Sequence, residues 1–306
     1  MHSLDFLEYF GFFPFRRAYG SLTERTKPHL SLRFREAEFH IDSSRGKKGY
    51  NIITHAHSDH YGKGNVRNRN AIASHETARI LEELTGKKFA GSTFSIGDKL
   101  EFEGIRVFTY ETHHMHGSAA FLFNSESRIL VTGDVKDYSP LPRCDVLICE
   151  ATYGSPADIF KEEIHRVVEE ANGSFYGVYP VGKAQRIGKL LNESGIDFSA
   201  EDRISRLCKL FGIEVAEEGE VHLTTTRKIY EYPGKKYILT AQRFYRLPRI
   251  VVSDHLDYKG LMDMIEHCKP EAVIFYHGKP TPELLEDVRG MGVEVATLND
   301  LERLTP

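Results

Sequence analysis

Residues 54–60 read Thr-His-Ala-His-Ser-Asp-His, so His55, His57, Asp59 and His60 crowd into one segment. It lies between the apolar run Asn51-Ile52-Ile53 and the glycine-bearing Tyr61-Gly62-Lys63-Gly64. Two histidines one residue apart at a strand end splay onto one metal ion, and the Asp-His pair just beyond can face a second. An imidazole-rich donor set with a carboxylate and no thiolate suits Zn²⁺, with Mn²⁺ or Fe as alternatives. Two such ions about 3.5–4 Å apart would hold a bridging hydroxide as nucleophile and clamp the oxygens of a displacement reaction. One loop cannot supply all the ligands. His114, Asp134 and His277 occur farther along, Asp134 as a natural bridging carboxylate, and Asp42 could support the histidine loop from behind.

The elements that must position these residues have a common form: short apolar runs, each ending in a polar loop that carries a His, Asp or Glu. "YNIITHAH" leads to His55, "IRVFTYETHH" to His113 and His114, and "RILVTGD" to Asp134. "DVLICE" leads to Glu150, "RIVVSDH" to His255 and "AVIFYHG" to His277. Read as buried strands, they place potential ligands at carboxyl ends, where α/β sheets build their sites.

Helical patterns separate many of these runs. "ETARILEELTG" stops at Gly86, a longer pattern runs from about Asp158 to Ala171, and "SAEDRISRLCKLFG" opens with Ser199 and Asp202 as a capping box. "TPELLEDVRG" has Thr281 as N-cap and Pro282 in the first turn. The class is α/β or mixed α+β. Between Tyr153 and about Pro248 the ligand-bearing loops cease, which suggests a module at 153–248 inserted between two parts of one domain, 1–152 and 249–306.

The chain has 306 residues, 41% apolar and 27% charged, so a large core is expected and disorder is not. The apolar stretch from Tyr9 to Phe15 is too short and too broken by glycine and proline to span a membrane, and it lacks the layout of a signal peptide. A soluble cytoplasmic protein is expected. Cys144, Cys149, Cys208 and Cys268 form no CxxC pair, so neither a disulfide framework nor a thiolate zinc site is expected. The formal net charge of −4 argues mildly against a nucleic-acid partner. Basic residues nevertheless cluster at Arg45, Lys47 and Lys48, at Lys63, Arg67 and Arg69, and at Arg243, Arg246 and Arg249. The first two groups bracket the histidine loop, which favours a phosphate-lined channel.

Asp42, "HAHSDH", "HHMHGS" and "TGD" in this order resemble the metallo-β-lactamase superfamily, whose αββα sandwich holds a dinuclear metal site. "CDVLICEATYG", "VYPVGKAQRI", "VVSDHLDY" and "FYHG" resemble the further motifs of its β-CASP nucleases, with an inserted α/β β-CASP domain. The resemblance runs from about Asp42 to His277. It implies two Zn²⁺ ions, one held by His55, His57 and His114, the other by Asp59, His60 and His277, with Asp134 bridging and Asp59 also essential to catalysis. It implies that His255 protonates the leaving oxygen while Glu150 orients it or shapes its pKa. Among His113, His114 and His116, the resemblance implies His114, by the family's spacing to the following Gly-Ser. His29, His40, His75, His165, His222 and His267 read as background.

The "VGK" turn after a strand suits a phosphate group, so Gly182 and Lys183 are candidate phosphate contacts, with Arg243 and Arg246 as nucleic-acid contacts. It lacks the spacing of a Walker loop, which argues against NTP hydrolysis. The expected function is a metal-dependent nuclease acting on single-stranded DNA or RNA, exonucleolytic, in DNA repair or RNA processing. The resemblance leaves the nucleic acid open: the short chain resembles ligase-associated DNA exonucleases and crosslink-repair nucleases, whereas His at position 277 is typical of RNA 3′-end-processing members and many DNA-directed members, ligase-associated ones excepted, carry Val. Two other readings compete, a hydrolase of small esters or thioesters and a catalytically silent nucleic-acid-binding scaffold.

Overall fold

The computed structural model describes residues 11–18, 28–44 and 48–304. Tyr9 and Phe10 of the apolar amino-terminal run, and Arg45 and Lys47 of the first basic cluster, lie outside the described residues. The chain divides into two compact units, Met1–Ile159 with His255–Pro306, and Phe160–Asp254.

The first unit contains two seven-stranded sheets among the described residues. One is built from β1 (Phe13–Ala18), β2 (Pro28–Phe34), β3 (Ala37–Ile41), β4 (Tyr50–Ile52), β5 (Ala71–Ser74), β6 (Ser92–Phe94) and the last strand, β19 (Arg303–Leu304). Its order is β19-β1-β2-β3-β4-β5-β6, and β3 to β6 run parallel. The other is built from β7 (Lys99–Phe102), β8 (Ile105–Glu111), β9 (Ala119–Asn124), β10 (Arg128–Val131), β11 (Val146–Ala151), β17 (Ala272–Gly278) and β18 (Glu294–Thr297), in the order β18-β17-β11-β10-β9-β8-β7. Here β10, β11, β17 and β18 are parallel.

A shared core joins the sheets. Phe39, Ile41 and Ile52 from the first pack in one cluster with Val107, Phe121, Phe123, Ile148 and Ile274 from the second. The alternate residues of the second sheet, Leu147, Cys149, Val273 and Phe275, pack with two helices, α5 (Tyr258–Cys268) and α6 (Pro282–Gly290). Covered on both sides, β11 reads as an unbroken apolar run and every residue of it is buried. Helix α1 (His75–Thr85) packs beside β5 and β6; Ser74 caps its start by accepting from the Thr77 N–H, and Gly86 ends it at φ 64°. In α6, Thr281 is the N-cap and Pro282 the first residue, as the sequence indicated.

The second unit is a five-stranded, all-parallel sheet of β12 (Ser174–Val178), β13 (Phe198–Ala200), β14 (Val221–Thr225), β15 (Lys235–Leu239) and β16 (Arg249–Ile250), in the order β13-β14-β12-β15-β16. Its core gathers Tyr176, Val178 and Leu223 with residues of α2 (Ile164–Glu169), α3 (Lys183–Glu193) and α4 (Asp202–Leu210), such as Val167, Ile187 and Ile204.

The structure departs from the sequence reading in four places. The divisions fall at 159/160 and 254/255 rather than 152/153 and 248/249, because Thr281 ties the 154 region to the first unit through the Gly154 carbonyl, and β16 pairs with β15. For the same reason "RIVVSDH" starts in the sheet of the second unit. The helix expected from Asp158 begins only at Ile164, because Glu162 and Glu163 instead accept hydrogen bonds from the backbone of Ser253 and Val251. Ser199 is not a cap: its hydroxyl meets His222 Nδ1 at 2.9 Å, and the N-cap position of α4 is Glu201.

Candidate metal centre

Asp42 follows β3, the histidine loop follows β4, His114 follows β8 and Asp134 follows β10, while Glu150 and His277 lie near the carboxyl ends of β11 and β17. These residues all belong to the first unit, as does His255. The ladder between β11 and β17 slips by one: Cys149 faces Phe275 and Glu150 faces His277, so Tyr276 has no opposite number. A bulge of this kind re-aims side chains beside a site.

His55, His57, His114 and Asp134 each offer a donor atom, all within 4.8 Å of one another. Nδ1 of His57 lies 3.1 Å from Nε2 of His55 and 3.1 Å from Nε2 of His114. Oδ2 of Asp134 lies 3.4 Å from His55 Nε2 and 3.6 Å from His114 Nε2. Donors on one tetrahedral zinc are separated by about 3.3 Å, so this spacing fits a single ion. Asp59, His60 and His277 form an adjoining group within the same limit, with His277 Nε2 at 3.6 Å from Asp59 Oδ2. Asp134 Oδ2 is 3.4 Å from His60 Nε2 as well, so this carboxylate touches both groups. His60 Nε2 and Asp134 Oδ1 are buried atoms without a hydrogen-bond partner. Orphaned donors and acceptors of this kind are costly unless something else occupies the space between them. A pair of divalent cations fits that need and the chemistry of the donors.

Polar contacts behind the ligands set their orientation. Asp42 Oδ2 accepts from His60 Nδ1 at 2.8 Å, from the Thr54 hydroxyl at 2.7 Å and from the Tyr276 hydroxyl at 2.8 Å, while Oδ1 accepts from the Thr54 N–H at 2.8 Å. With its own hydrogen given to Asp42, the Thr54 oxygen can only accept from His55 Nδ1, 3.0 Å away. Both His55 and His60 therefore turn Nε2 toward the cluster, as imidazole ligands require. Thr54 and Tyr276 were missed as supports in the sequence. Each precedes a ligand-type histidine, but nothing in the sequence marks the fold that brings both to Asp42.

The charges are strongly shifted. Burial drives His55 well below its ordinary value, reinforced by the neighbouring histidines. Burial also opposes charge on His60, yet Asp134 and Asp42 outweigh it and raise the imidazole to about 10. Burial, followed by the Glu150 carboxylate, raises Asp134. Glu150 resists burial because His255, Thr152 and the Val135 N–H hold it below the usual carboxylate range. His255 Nδ1 lies 2.8 Å from Glu150 Oε2 and 4.0 Å from Asp134 Oδ2, which puts this pair at the edge of the first donor group.

Of the three histidines in "HHMHGS", His114 is the one in the cluster. His113 is exposed, 3.5 Å from Glu111, and His116 is half-buried. Lys63, Arg67 and Arg69 are exposed just after the histidine loop. A cavity of about 570 Å³ opens beside the second donor group, lined in part by Asp42, Asp59, His277, Lys279 and Asn299.

The expected phosphate contacts of the second unit have a different aspect. Lys183 is buried, with Nζ donating to the Val252 carbonyl at 2.9 Å and lying 3.7 Å from Asp254. The Gly182 N–H donates to Gln185 Oε1 at 2.8 Å. The "VGK" turn thus directs these donors into its own unit, whereas Arg243 and Arg246 are exposed.

Several known proteins resemble parts or all of the chain, although no family model matches it. The chain is 32% identical over 108 residues to the endoribonuclease YSH1 of Mycosarcoma maydis, a match to 29% of this chain and 12% of the relative. It is 31% identical over 110 residues to an RNase J-like protein of Methanocaldococcus jannaschii, 29% of this chain and 26% of the relative. It is 30% identical over 113 residues to cleavage and polyadenylation specificity factor subunit 3 of Dictyostelium discoideum, 31% of this chain and 15% of the relative. The matches therefore span about a quarter or less of each relative's length. A crystal structure of an Enterococcus faecalis protein of unknown function shares the fold over 96% of this chain and 97% of its own, with a TM-score of 0.63 and 14% identity. The three sequence matches agree with the resemblance to β-CASP nucleases of the metallo-β-lactamase superfamily that the order of the motifs suggests.

Proposed function

We propose that the chain is a metal-dependent nuclease that hydrolyses phosphodiester bonds of single-stranded RNA or DNA, acting from a strand end. The observation that carries the reading is the pair of adjoining donor groups sharing Asp134, flanked by the bonded pair His255 and Glu150. His55, His57 and His114 would hold one Zn²⁺ or Mn²⁺, and Asp59, His60 and His277 the other. Divalent ions bound there supply Lewis acidity toward the phosphate and a water nucleophile at neutral pH.

The remaining work falls to the chain's own groups. Asp42 fixes the His60 ring, and Thr54 fixes that of His55. Glu150 accepts the Nδ1 proton of His255, so the proton that His255 can give to a leaving oxygen is the one on Nε2. Exposed Lys63, Arg67 and Arg69, in the same unit, supply positive charge for a phosphate backbone. The printed names of the relatives, an endoribonuclease, an RNase J-like protein and a polyadenylation factor subunit, favour RNA as the substrate. Among the described residues no helix is long and apolar enough to cross a membrane.

The test is metal analysis combined with cleavage of 5′- and 3′-labelled single-stranded RNA and DNA in Zn²⁺ and Mn²⁺. Close to two metal ions per chain are expected, with hydrolysis abolished, and part of the metal lost, in Asp59→Ala. Full activity in metal-free protein would overturn the dinuclear reading, and absence of hydrolysis with every metal and strand would overturn the nuclease.

A further inference from the structure

The second unit carries an aromatic cluster on its surface that the chemistry above does not use. Phe244 is 70% exposed and Tyr179 is 38% exposed, and together with Tyr245 they form a contiguous patch rather than scattered rings. The rings of Phe244 and Tyr245 lie 4.5 Å apart, tilted by 32°. The Tyr179 hydroxyl is 3.2 Å from that of Tyr245 and 3.1 Å from Gln242 Oε1, and the Lys183 ammonium lies 5.6 Å from the Tyr179 ring centroid. Exposed Arg243 and Arg246 flank Phe244 and Tyr245 in sequence. Apolar side chains left outside a core carry no stabilising burial, and here they are interleaved with cations and held by tyrosine hydroxyls.

The topology gives this cluster a second, independent meaning. All five strands of the sheet are parallel, in the order β13-β14-β12-β15-β16. From β12 the chain moves to the edge strand β13 and back to β14 on one side, then crosses to β15 and β16 on the other. The direction of winding therefore reverses between β12 and β15. Tyr179 is the first residue after β12, and residues 240–248 are the loop after β15. The aromatic cluster thus sits at the carboxyl end of the sheet, at its topological switch point, where open α/β sheets bind ligands.

We infer that Tyr179, Phe244 and Tyr245, flanked by Arg243 and Arg246, form a base-stacking platform for single-stranded nucleic acid. The inference rests on the nuclease reading for its choice of ligand and adds the substrate's bases, not only its phosphates, to what the protein recognises. Every base has a π-face, so the platform binds without strict sequence preference, and the arginines neutralise backbone charge. Phe244, the most exposed ring, stacks directly on a base; Tyr179 and Tyr245 hold the loop through their paired hydroxyls.

The chain contains no tryptophan, so Phe244→Trp places a single reporter on the platform. Titration of full-length Phe244→Trp in chelator with a twelve-nucleotide oligouridylate, an oligothymidylate and an abasic strand of equal length reads stacking without cleavage. Strong quenching by the first two and none by the abasic strand is expected. By fluorescence anisotropy, Phe244→Ala should weaken oligonucleotide binding about tenfold and Phe244→Trp should retain it. Oligonucleotide binding with an unquenched tryptophan, or quenching equal with the abasic strand, overturns the platform. Cleavage by the wild type decides the nuclease reading separately: cleavage without quenching sinks the platform alone, and quenching without cleavage sinks the nuclease alone.

Discussion

Oδ2 of Asp42 stands 2.8 Å from Nδ1 of His60, and the same oxygen takes the hydroxyl protons of Thr54 and Tyr276. One carboxylate, at φ 44°, thereby orients a ligand from the loop after β4 while bonding to a side chain on β17. Asn tolerates that backbone conformation and keeps one acceptor oxygen, so Asp42→Asn should fold. It should bind metal about 10- to 100-fold more weakly, read as metal retained after dialysis against a graded chelator. Asp42→Ala strips acceptors from four buried donors and should cost about 3 kcal/mol or more in urea denaturation. Undiminished metal retention in the Asn variant would remove Asp42 from the support of the site.

His255 and Glu150 make a different prediction, because neither is proposed as a ligand. His255→Ala should lower turnover by about 10²- to 10⁴-fold with metal content unchanged. Glu150→Gln keeps the shape but can no longer hold the Nδ1 proton by charge, so it should lower kcat with little change in KM. Metal lost from His255→Ala, measured by mass spectrometry, would make His255 a ligand and end its assignment as a proton donor.

Gly133 in "TGD" has φ 65°, and a methyl group there would lie 2.7 Å from both Cβ and Oγ1 of Thr54. Gly133→Ala should therefore destabilise the protein by about 2–4 kcal/mol and weaken metal binding through displaced Thr54. Gly86 has nearly the same φ, 64°, with nothing within 4 Å, so Gly86→Ala should cost only about 1 kcal/mol. Equal midpoints for the two variants in urea would show that close approach to Thr54 is unimportant.

Asp145 offers a pH test outside the site. Burial opposes its charge, but Arg128 holds the carboxylate below its ordinary value, through Nη2 at 2.6 Å and the backbone N–H at 2.7 Å. A folded pKa below the unfolded one gives stability that is present at neutral pH and lost as pH falls through the folded value. With Arg128 half-exposed, the contribution is about 1 kcal/mol. Asp145→Asn should be less stable than the wild type by that amount at neutral pH, and the two should converge as the pH falls through the lowered pKa of Asp145. A gap independent of pH would remove the charge from the explanation.

The four cysteines are buried and free. Burial raises the Cys149 thiol well above its ordinary value. Native protein should react with an aromatic disulfide reagent far more slowly than urea-unfolded protein, with all four thiols titrating once unfolded. Rapid reaction of even one thiol in the native state would place it at an opening in the core.

The sequence by itself determined the donor types, their order, most of the strands that lead to them, and the helix ends at Gly86 and Thr281. Apolar run length, Gly86, Thr281 and Pro282 act locally, within a turn or two of chain. The choice of His114 over its neighbours came from the spacing of the family that the motifs resemble, not from the local sequence. Other features depended on contacts across long stretches of chain, which no local pattern encodes. The helix expected from Asp158 yields to hydrogen bonds between Glu162 or Glu163 and residues some ninety positions later. Lys183 looked like a phosphate anchor because a strand-turn-helix pattern says nothing of Asp254 and Val252, which take its ammonium. Tertiary structure alone decided that Asp42, Thr54 and Tyr276 meet, because they come from three separate strand ends, and beside Tyr276 the pairing of β11 with β17 slips by one residue. The same holds for the aromatic cluster after β12 and β15, whose rings are more than sixty residues apart in the chain and adjacent only because those strands pair.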